Sequence, residues 1–395
     1  MRFPLPILFL LFFPISIFAQ SGLVTGVVIN SETKKPLARA SVFLSNSSVG
    51  AATLDDGTFT LNGIRPGQYT LVVTTLGYEE YNKVILVGNA PISLKIELKS
   101  KPLELREVVI TSATDWKKNF EAFKREFIGI DENAKLCTIM NPHVLNITFN
   151  PTKQILHADA IEFLIVENRA LGYRIKFLVD DFNLDKINGI VSTGGPHVFE
   201  DLPGSEAQKK KWHEKREEVY YGSSMHFFRS LYTNKLNEEG FQIYKYNRYL
   251  NPERPSEEII RSQIKKYELQ RRIDSANYWI GLANRSKWYN ESLVKPALFP
   301  YEIYSPTEQE GIYSLHFQNF LYVVYTKKTD DTYNKEIYRP LDMPNYAISV
   351  VTLFKRSVNF DMNGILLEGN TLFEGTWASN RLSDMLPYDY VPDKK

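Results

Sequence analysis

Three residues of this chain have the types and order of a zinc site. His197 and Glu200 stand in the run His197-Val198-Phe199-Glu200 after Gly194-Gly195-Pro196, and His316 follows much later. Two imidazoles and a carboxylate hold Zn2+ and leave a fourth position for water, which the ion acidifies into a nucleophile. Removing a residue from the C-terminal end of a peptide needs two more groups. A separate carboxylate acts as general base, and an arginine holds the substrate's terminal carboxylate. Glu374 and Arg285 can be nominated by type, but nothing in their local sequence singles them out.

The setting argues against that chemistry. The His-x-x-Glu pattern with a later His resembles the ligand set of metallocarboxypeptidases, whose parallel sheet is wrapped by helices. The stretch around residue 197 lacks the strand–helix alternation that such a sheet needs. Leu202-Pro203 follows Glu200 closely and reads as a turn. In a chain with 6 His and many Glu, one such spacing arises by chance. The expectation is that His197 lies in a loop and Glu200 is solvated.

Other constellations are thinner. His157-Ala158-Asp159 places two polar side chains on one face of a strand, but no further ligands accompany them, so ordinary strand packing is expected. His213-Glu214 lacks the second His of a His-Glu-x-x-His helix. The chain contains no Gly-x-Ser-x-Gly elbow and no phosphate-binding glycine loop. Gly222-Ser223-Ser224 reads as the opening of a helix over Met225 to Leu236. Cys137 is the single cysteine, which rules out an intrachain disulfide and a cysteine-rich metal site. Its neighbours Leu136, Ile139 and Met140 predict a buried thiol. No catalytic residue and no cofactor is therefore assigned. Zinc at His197, Glu200 and His316 stands as the alternative.

The elements that must position these residues begin with a leader. Arg2 precedes an almost wholly apolar run, Leu5 to Phe18, and Ala19 stands before Gln20. That is the pattern of a secretory signal peptide over residues 1–19. The run is about 14 residues, against the roughly 20 that span a bilayer. No later run is long enough for a membrane helix, and no Cys follows the leader to carry a lipid. Within 395 residues there is room for two or three domains. A formal net charge of +1 predicts no general pull on nucleic acid or an anionic membrane. Aromatic residues at 13% favour β-rich structure.

Residues 22–100 show short apolar strands punctuated by turns. Val24 to Ile29, Ala40 to Leu44, Thr58 to Leu61, Tyr69 to Thr75, Val84 to Val87 and Ile92 to Leu98 alternate with Asp55-Asp56-Gly57, Arg65-Pro66-Gly67, Gly77 and Gly88-Asn89. This spacing predicts a β-sandwich. Gly57 is expected to supply a positive φ at its turn, and no further oxygen ligands follow to make that turn a calcium loop.

The order Gly26-Val27-Val28, Lys35-Pro36-Leu37-Ala38-Arg39-Ala40-Ser41-Val42, Thr53-Leu54-Asp55-Asp56-Gly57-Thr58-Phe59, Gly67-Gln68-Tyr69 and Leu76-Gly77-Tyr78 resembles the carboxypeptidase regulatory-like domain. The resemblance implies a transthyretin-like sandwich of about seven strands, a non-catalytic accessory module, and an exported protein of Bacteroidota. It does not imply peptidase activity.

A linker strand is expected over 101–112. Leu105 to Thr111 resembles the short segment that follows such modules in TonB-dependent transporters. Residues 113–395 read as one α+β domain with antiparallel sheet. Trp116, Phe120, Phe123 and Phe127 recur at helical spacing after Thr114 and Asp115 as caps. Val144 to Gly194 reads as antiparallel strands, including Gly172 to Asp180. Ser205 to Glu239 is helical and broken near Gly222, with Ser205 as cap and Gly240 as stop. Ser256 to Leu282 is a further helix. Strands return at Tyr313 to Thr326, Ala347 to Phe354 and Gly364 to Thr371. Lys209-Lys210-Lys211 is followed by Glu214, Glu217 and Glu218, which makes a solvated helix face rather than a nucleic-acid patch. Arg381 and Asp384 are expected to pair at i,i+3. The run from Gly375 to Tyr390 resembles the ending of uncharacterised exported Bacteroidota proteins with the same N-terminal module.

The function expected from these features is a non-catalytic accessory protein of the periplasm or outer-membrane periphery, binding an envelope protein or a glycan. A zinc carboxypeptidase is one alternative. A transport or sensor accessory of an outer-membrane complex, coupled through Leu105 to Thr111, is the other.

Overall fold

The computed structural model describes residues 22–101, 113–330, 337–369 and 371–393. The expected leader over 1–19 and the strand-forming run 105–111 lie outside the described residues.

The first body is a sandwich of seven strands: β1 (Gly22–Asn30), β2 (Ser41–Leu44), β3 (Gly50–Ala52), β4 (Thr58–Ile64), β5 (Gly67–Thr74), β6 (Tyr81–Val87) and β7 (Ile92–Leu98). One sheet runs β4-β1-β7 and the other β3-β2-β5-β6. Val24, Val28, Leu61, Leu71 and Ile96 point inward and are essentially buried. Alternation along each strand supplies this face, as period-two patterning requires. Gly57 has φ +76°, and a Cβ there would stand 2.5 Å from the Val28 carbonyl oxygen. The tight turn and the close strand both demand glycine.

The second body opens with α1 (Ala113–Ile128). The helix begins one residue before Thr114, so Thr114 and Asp115 lie inside its first turn rather than capping it. Phe123 and Phe127 stack at 4.8 Å and bury against Phe177 and Phe182. Eight strands follow: β8 (Cys137–Ile139), β9 (Leu145–Asn150), β10 (Ile155–Ala160), β11 (Leu164–Asn168), β12 (Tyr173–Phe177), β13 (Asp181–Asp185), β14 (Ile190–Gly194) and β15 (His197–Asp201). They form two antiparallel sheets, β14-β13-β10-β9 and β15-β12-β11-β8. The core of this body gathers α1 and both sheets.

Next comes α2 (Glu206–Tyr220), capped by Ser205 with Gln208 completing a capping box. Gly222, at φ +88°, separates it from α3 (Ser224–Tyr232). The third body then adds β16 (Phe241–Leu250), α4 (Glu257–Leu269), α5 (Ile273–Ala283), β17 (Trp288–Val294), β18 (Tyr304–Pro306), β19 (Ile312–Leu315), β20 (Phe320–Thr329), β21 (Tyr346–Leu353), β22 (Val358–Asp361) and β23 (Thr371–Gly375). Its large sheet is β17-β16-β20-β21-β23 and its small one β18-β19-β22. The large sheet has apolar clusters on both faces, one around Phe241 and Ile243 and one around Tyr246 and Tyr322.

The fold class read from the sequence holds, a seven-stranded sandwich followed by antiparallel sheets with helices. Besides the caps of α1, four local expectations change. The helix over Ser256 to Leu282 is two helices, because Arg271 adopts φ +57° and reverses the chain. The strand over Tyr313 to Thr326 is two strands of different sheets, broken where Asn319 takes φ +62°. Gly364 to Thr371 is not one strand. Gly364, at φ +75°, turns the chain after β22, and β23 starts only at Thr371. His197 lies in a strand rather than a loop.

The C-terminal segment straps the three bodies together. Leu382, Leu386 and Tyr390 bury in the core of the second body. The Tyr388 hydroxyl accepts from Asn46 Nδ2 of the first body at 2.7 Å. Arg229 of α3 donates to the carbonyls of Tyr388, Tyr390 and Asn363 at 2.8–3.0 Å.

Candidate binding groove

The structure does not bring His197, Glu200 and His316 together. His197 and Glu200 are three apart on β15, so their side chains leave opposite faces of the sheet. His197 faces the core, where its ring stacks on Phe177 at 4.5 Å, and burial pushes its imidazole down to about 4. Glu200 faces the other way and pairs with Lys176 across the β12–β15 ladder. His316 belongs to the third body, beside Ile303 and Leu321. Among the described residues no three-ligand cluster includes His197, Glu200 or His316.

The other nominated residues have structural partners. Glu374 makes a bidentate pair with Arg248, whose guanidinium lies 4.1 Å from the ring centres of both Trp288 and Phe320. Arg285 pairs with Glu253 at 2.8 Å. His157 and Asp159 do share one face of β10. There the His157 Nδ1 lies 3.1 Å from Asn183 Oδ1 and 3.3 Å from Asp181. Ser223 caps α3, accepting from the His226 N–H at 3.1 Å. Cys137 is buried, and desolvation pushes its thiol up to about 12. Leu136 and Met140 beside it are more than half exposed, so elements distant in sequence cover the thiol. Arg381 and Asp384 do not pair. They flank a single 3-10 turn, from which Arg381 faces Glu126 at 4.0 Å. Asp384 instead accepts from Asn133 Nδ2 at 2.7 Å.

Within the third body residues of both sheets line a groove of about 670 Å3. Its floor is Leu298, Ile303, Leu321 and Phe317, and its polar rim is Lys245, His316, Arg356 and Glu302. Strand alternation places Lys245 here, on the face of β16 that carries Phe241 and Ile243. Across the ladder it stands opposite Leu321 of β20. Glu302 is fixed by its turn, one carboxylate oxygen accepting from the Phe299 N–H at 2.6 Å. Among the described residues the side chains of Lys245, His316 and Arg356 make no hydrogen bond or ion pair with the protein. Among the described residues no hydrogen bond joins Ser314 to His316. The groove thus sets Lys245, Arg356, His316 and Glu302 beside an apolar floor.

Sequence reasoning named only His316 of this rim. The signal for Lys245 was present, a charge on the apolar phase of the strand Phe241-x-Ile243-x-Lys245. Arg356 and Glu302 sit in turns whose convergence no local pattern reveals.

The family described as CarboxypepD_reg-like domain matches residues 24–110, the first body and the connector. No curated protein matches the chain. Among solved structures, the pilus 2b backbone protein of group B streptococcus is 21% identical over 20% of this chain and 42% of its own, with TM-score 0.19. An interface mutant of a type II cohesin–X-dockerin complex from Acetivibrio cellulolyticus is 20% identical over 20% of this chain and 56% of its own, with TM-score 0.18. The shaft pilin of Lactobacillus rhamnosus GG is 19% identical over 21% and 47%, with TM-score 0.18. The chain thus spans about half the length of these proteins. Residues 24–110 are a carboxypeptidase regulatory-like module, and 113–393 carry further antiparallel sheets.

Proposed function

We propose that this protein is an exported, non-catalytic accessory of the cell envelope that binds a protein partner through the groove at His316. The observation that carries the reading is the rim itself, where the side chains of Lys245, Arg356 and His316 have no partner among the described residues and stand beside Leu298, Ile303 and Leu321. Such a surface suits an acidic, partly apolar peptide better than a neutral glycan, which calls for paired hydrogen-bonding groups and stacking faces. The leader-like residues 1–19 support export to the periplasm or the outer-membrane periphery. Among the described residues no helix is long and apolar enough to cross a membrane.

The test is a photo-crosslinking residue at Gln318, on the groove wall, in cells that express the full chain. A single crosslinked envelope protein, lost in the Lys245→Glu/Arg356→Glu variant, is the expected result. Crosslinks unchanged by that double charge reversal refute the groove. Retention of the protein in the cytoplasmic fraction refutes export.

A further inference from the structure

We infer that α2 and the C-terminal strap form a binding site for a divalent transition-metal ion, held by His213, Glu217 and Asp393. His213 and Glu217 are four apart on α2, so both project from one face of the helix. Asp393 arrives from the strap, and its Oδ2 lies 2.9 Å from His213 Nε2. One ligand atom from each of the three residues lies within 4.8 Å of the other two. Donors around a zinc-type ion stand about 3.0–3.4 Å apart, so binding draws the three side chains together from within the 4.8 Å that bounds the cluster.

Two orphaned atoms, one on a proposed ligand and one on the strap three residues before Asp393, set this cluster apart from a surface ion pair. Glu217 Oε1 is buried and has no hydrogen-bond partner. Tyr390 is 8% exposed, and its hydroxyl is likewise buried without a partner. Glu217 is the charged side chain that acts most strongly on this hydroxyl, and Asp393 acts in the same sense. Unpartnered buried polar groups are costly. A cation bridging Glu217 and Asp393 gives the Glu217 carboxylate a partner.

The strap is fixed before it reaches the site. Arg229 holds the carbonyls of Tyr388 and Tyr390, so Asp393 is presented to α2 from an anchored backbone. One imidazole and two carboxylates select an ion such as Zn2+ over Ca2+, which prefers oxygen donors alone. The remaining coordination positions face solvent. The ion acts as a clamp on the end of the strap.

The experiment is calorimetric titration of Zn2+ into untagged, chelator-treated full-length protein at neutral pH, with Co2+ absorption as a second probe. One ion per chain is expected. His213→Ala, Glu217→Gln and Asp393→Asn should each weaken binding at least tenfold, while His157→Ala leaves it unchanged. Absence of saturable binding below millimolar zinc overturns the site and leaves His213 and Asp393 as an ordinary ion pair. Undiminished binding in His213→Ala or Glu217→Gln overturns it equally, as does loss of binding in His157→Ala.

Discussion

The backbone N–H of Asn46 donates to the carbonyl of His197 at 2.6 Å, and the Phe199 N–H returns a bond to the Ser47 carbonyl at 2.9 Å. The first body therefore docks onto the outer edge of the second as a short parallel bridge between Ser47 and Val198. Phe43, Val72 and Val198 bury beneath this joint, and Phe163 packs edge-on against Phe43 at 5.7 Å. Phe43→Ala opens a cavity there and costs about 3 kcal/mol. Urea unfolding should show the loss. Hydrogen exchange should speed up at the Asn46 and Phe199 amides, which bond across the joint. Unchanged exchange at those two amides contradicts the docking.

Acid sensitivity has a source in the same strand. The His197 imidazole moves from an ordinary 6.5 to about 4 because it is buried, with only a long contact to the Gly195 carbonyl. Above pH 6.5 it is neutral folded and unfolded, and its contribution is complete. Between 6.5 and 4 the unfolded chain takes up a proton that the folded chain refuses, so stability falls with pH. The loss reaches roughly 3 kcal/mol near pH 4. His197→Phe keeps the stack on Phe177 and removes the titration. Unfolding free energies at pH 7.5 and 4.5 should therefore converge in the variant relative to the parent chain.

Asp384 titrates with the opposite sign. Burial, together with the neighbouring Asp131 carboxyl, raises it to about 6 from an ordinary 3.8. The folded chain binds the proton more tightly, so this group's contribution is full below 3.8 and disappears as pH rises through 6. At pH 8 the ionised carboxylate is a burden. Asp384→Asn stays neutral and still accepts from Asn133. It should raise stability at pH 8 by on the order of 1 kcal/mol, with no gain below about pH 4. Thermal melts across that range decide it.

Arg248 and Glu374 form an enclosed ion pair of the third body, with side-chain exposures of 4% and 29%. Glu374→Ala strands the guanidinium between Trp288 and Phe320 and should cost about 3–5 kcal/mol. The pair Arg248→Met/Glu374→Leu should recover most of that loss, because two apolar groups leave no buried charge. Denaturant midpoints of the single and double variants measure the difference.

The sequence by itself determined the elements whose cause is local. Alternation and glycine turns wrote six of the seven strands of residues 22–98, and the short β3 went unread. Aromatic spacing wrote the helix from Ala113, and Ser205 with Gln208 wrote the start of the next. Breaks in long runs were not legible: Arg271 takes a positive φ that its type does not announce, and Asn319 is of a type that tolerates one without requiring it. Tertiary structure alone decided which side chains meet. His197 and His316 share a chemistry but lie against different cores. Lys245, Arg356 and His316 come from three separate segments and converge only when two sheets pack. His213 and Glu217 were spaced to share a helix face, yet the third ligand, Asp393, arrives through a strap that crosses all three bodies. Periodicity is a property of neighbours along the chain, whereas a binding site is a property of neighbours across it. That second kind of adjacency is set by long-range packing, which one sequence does not print.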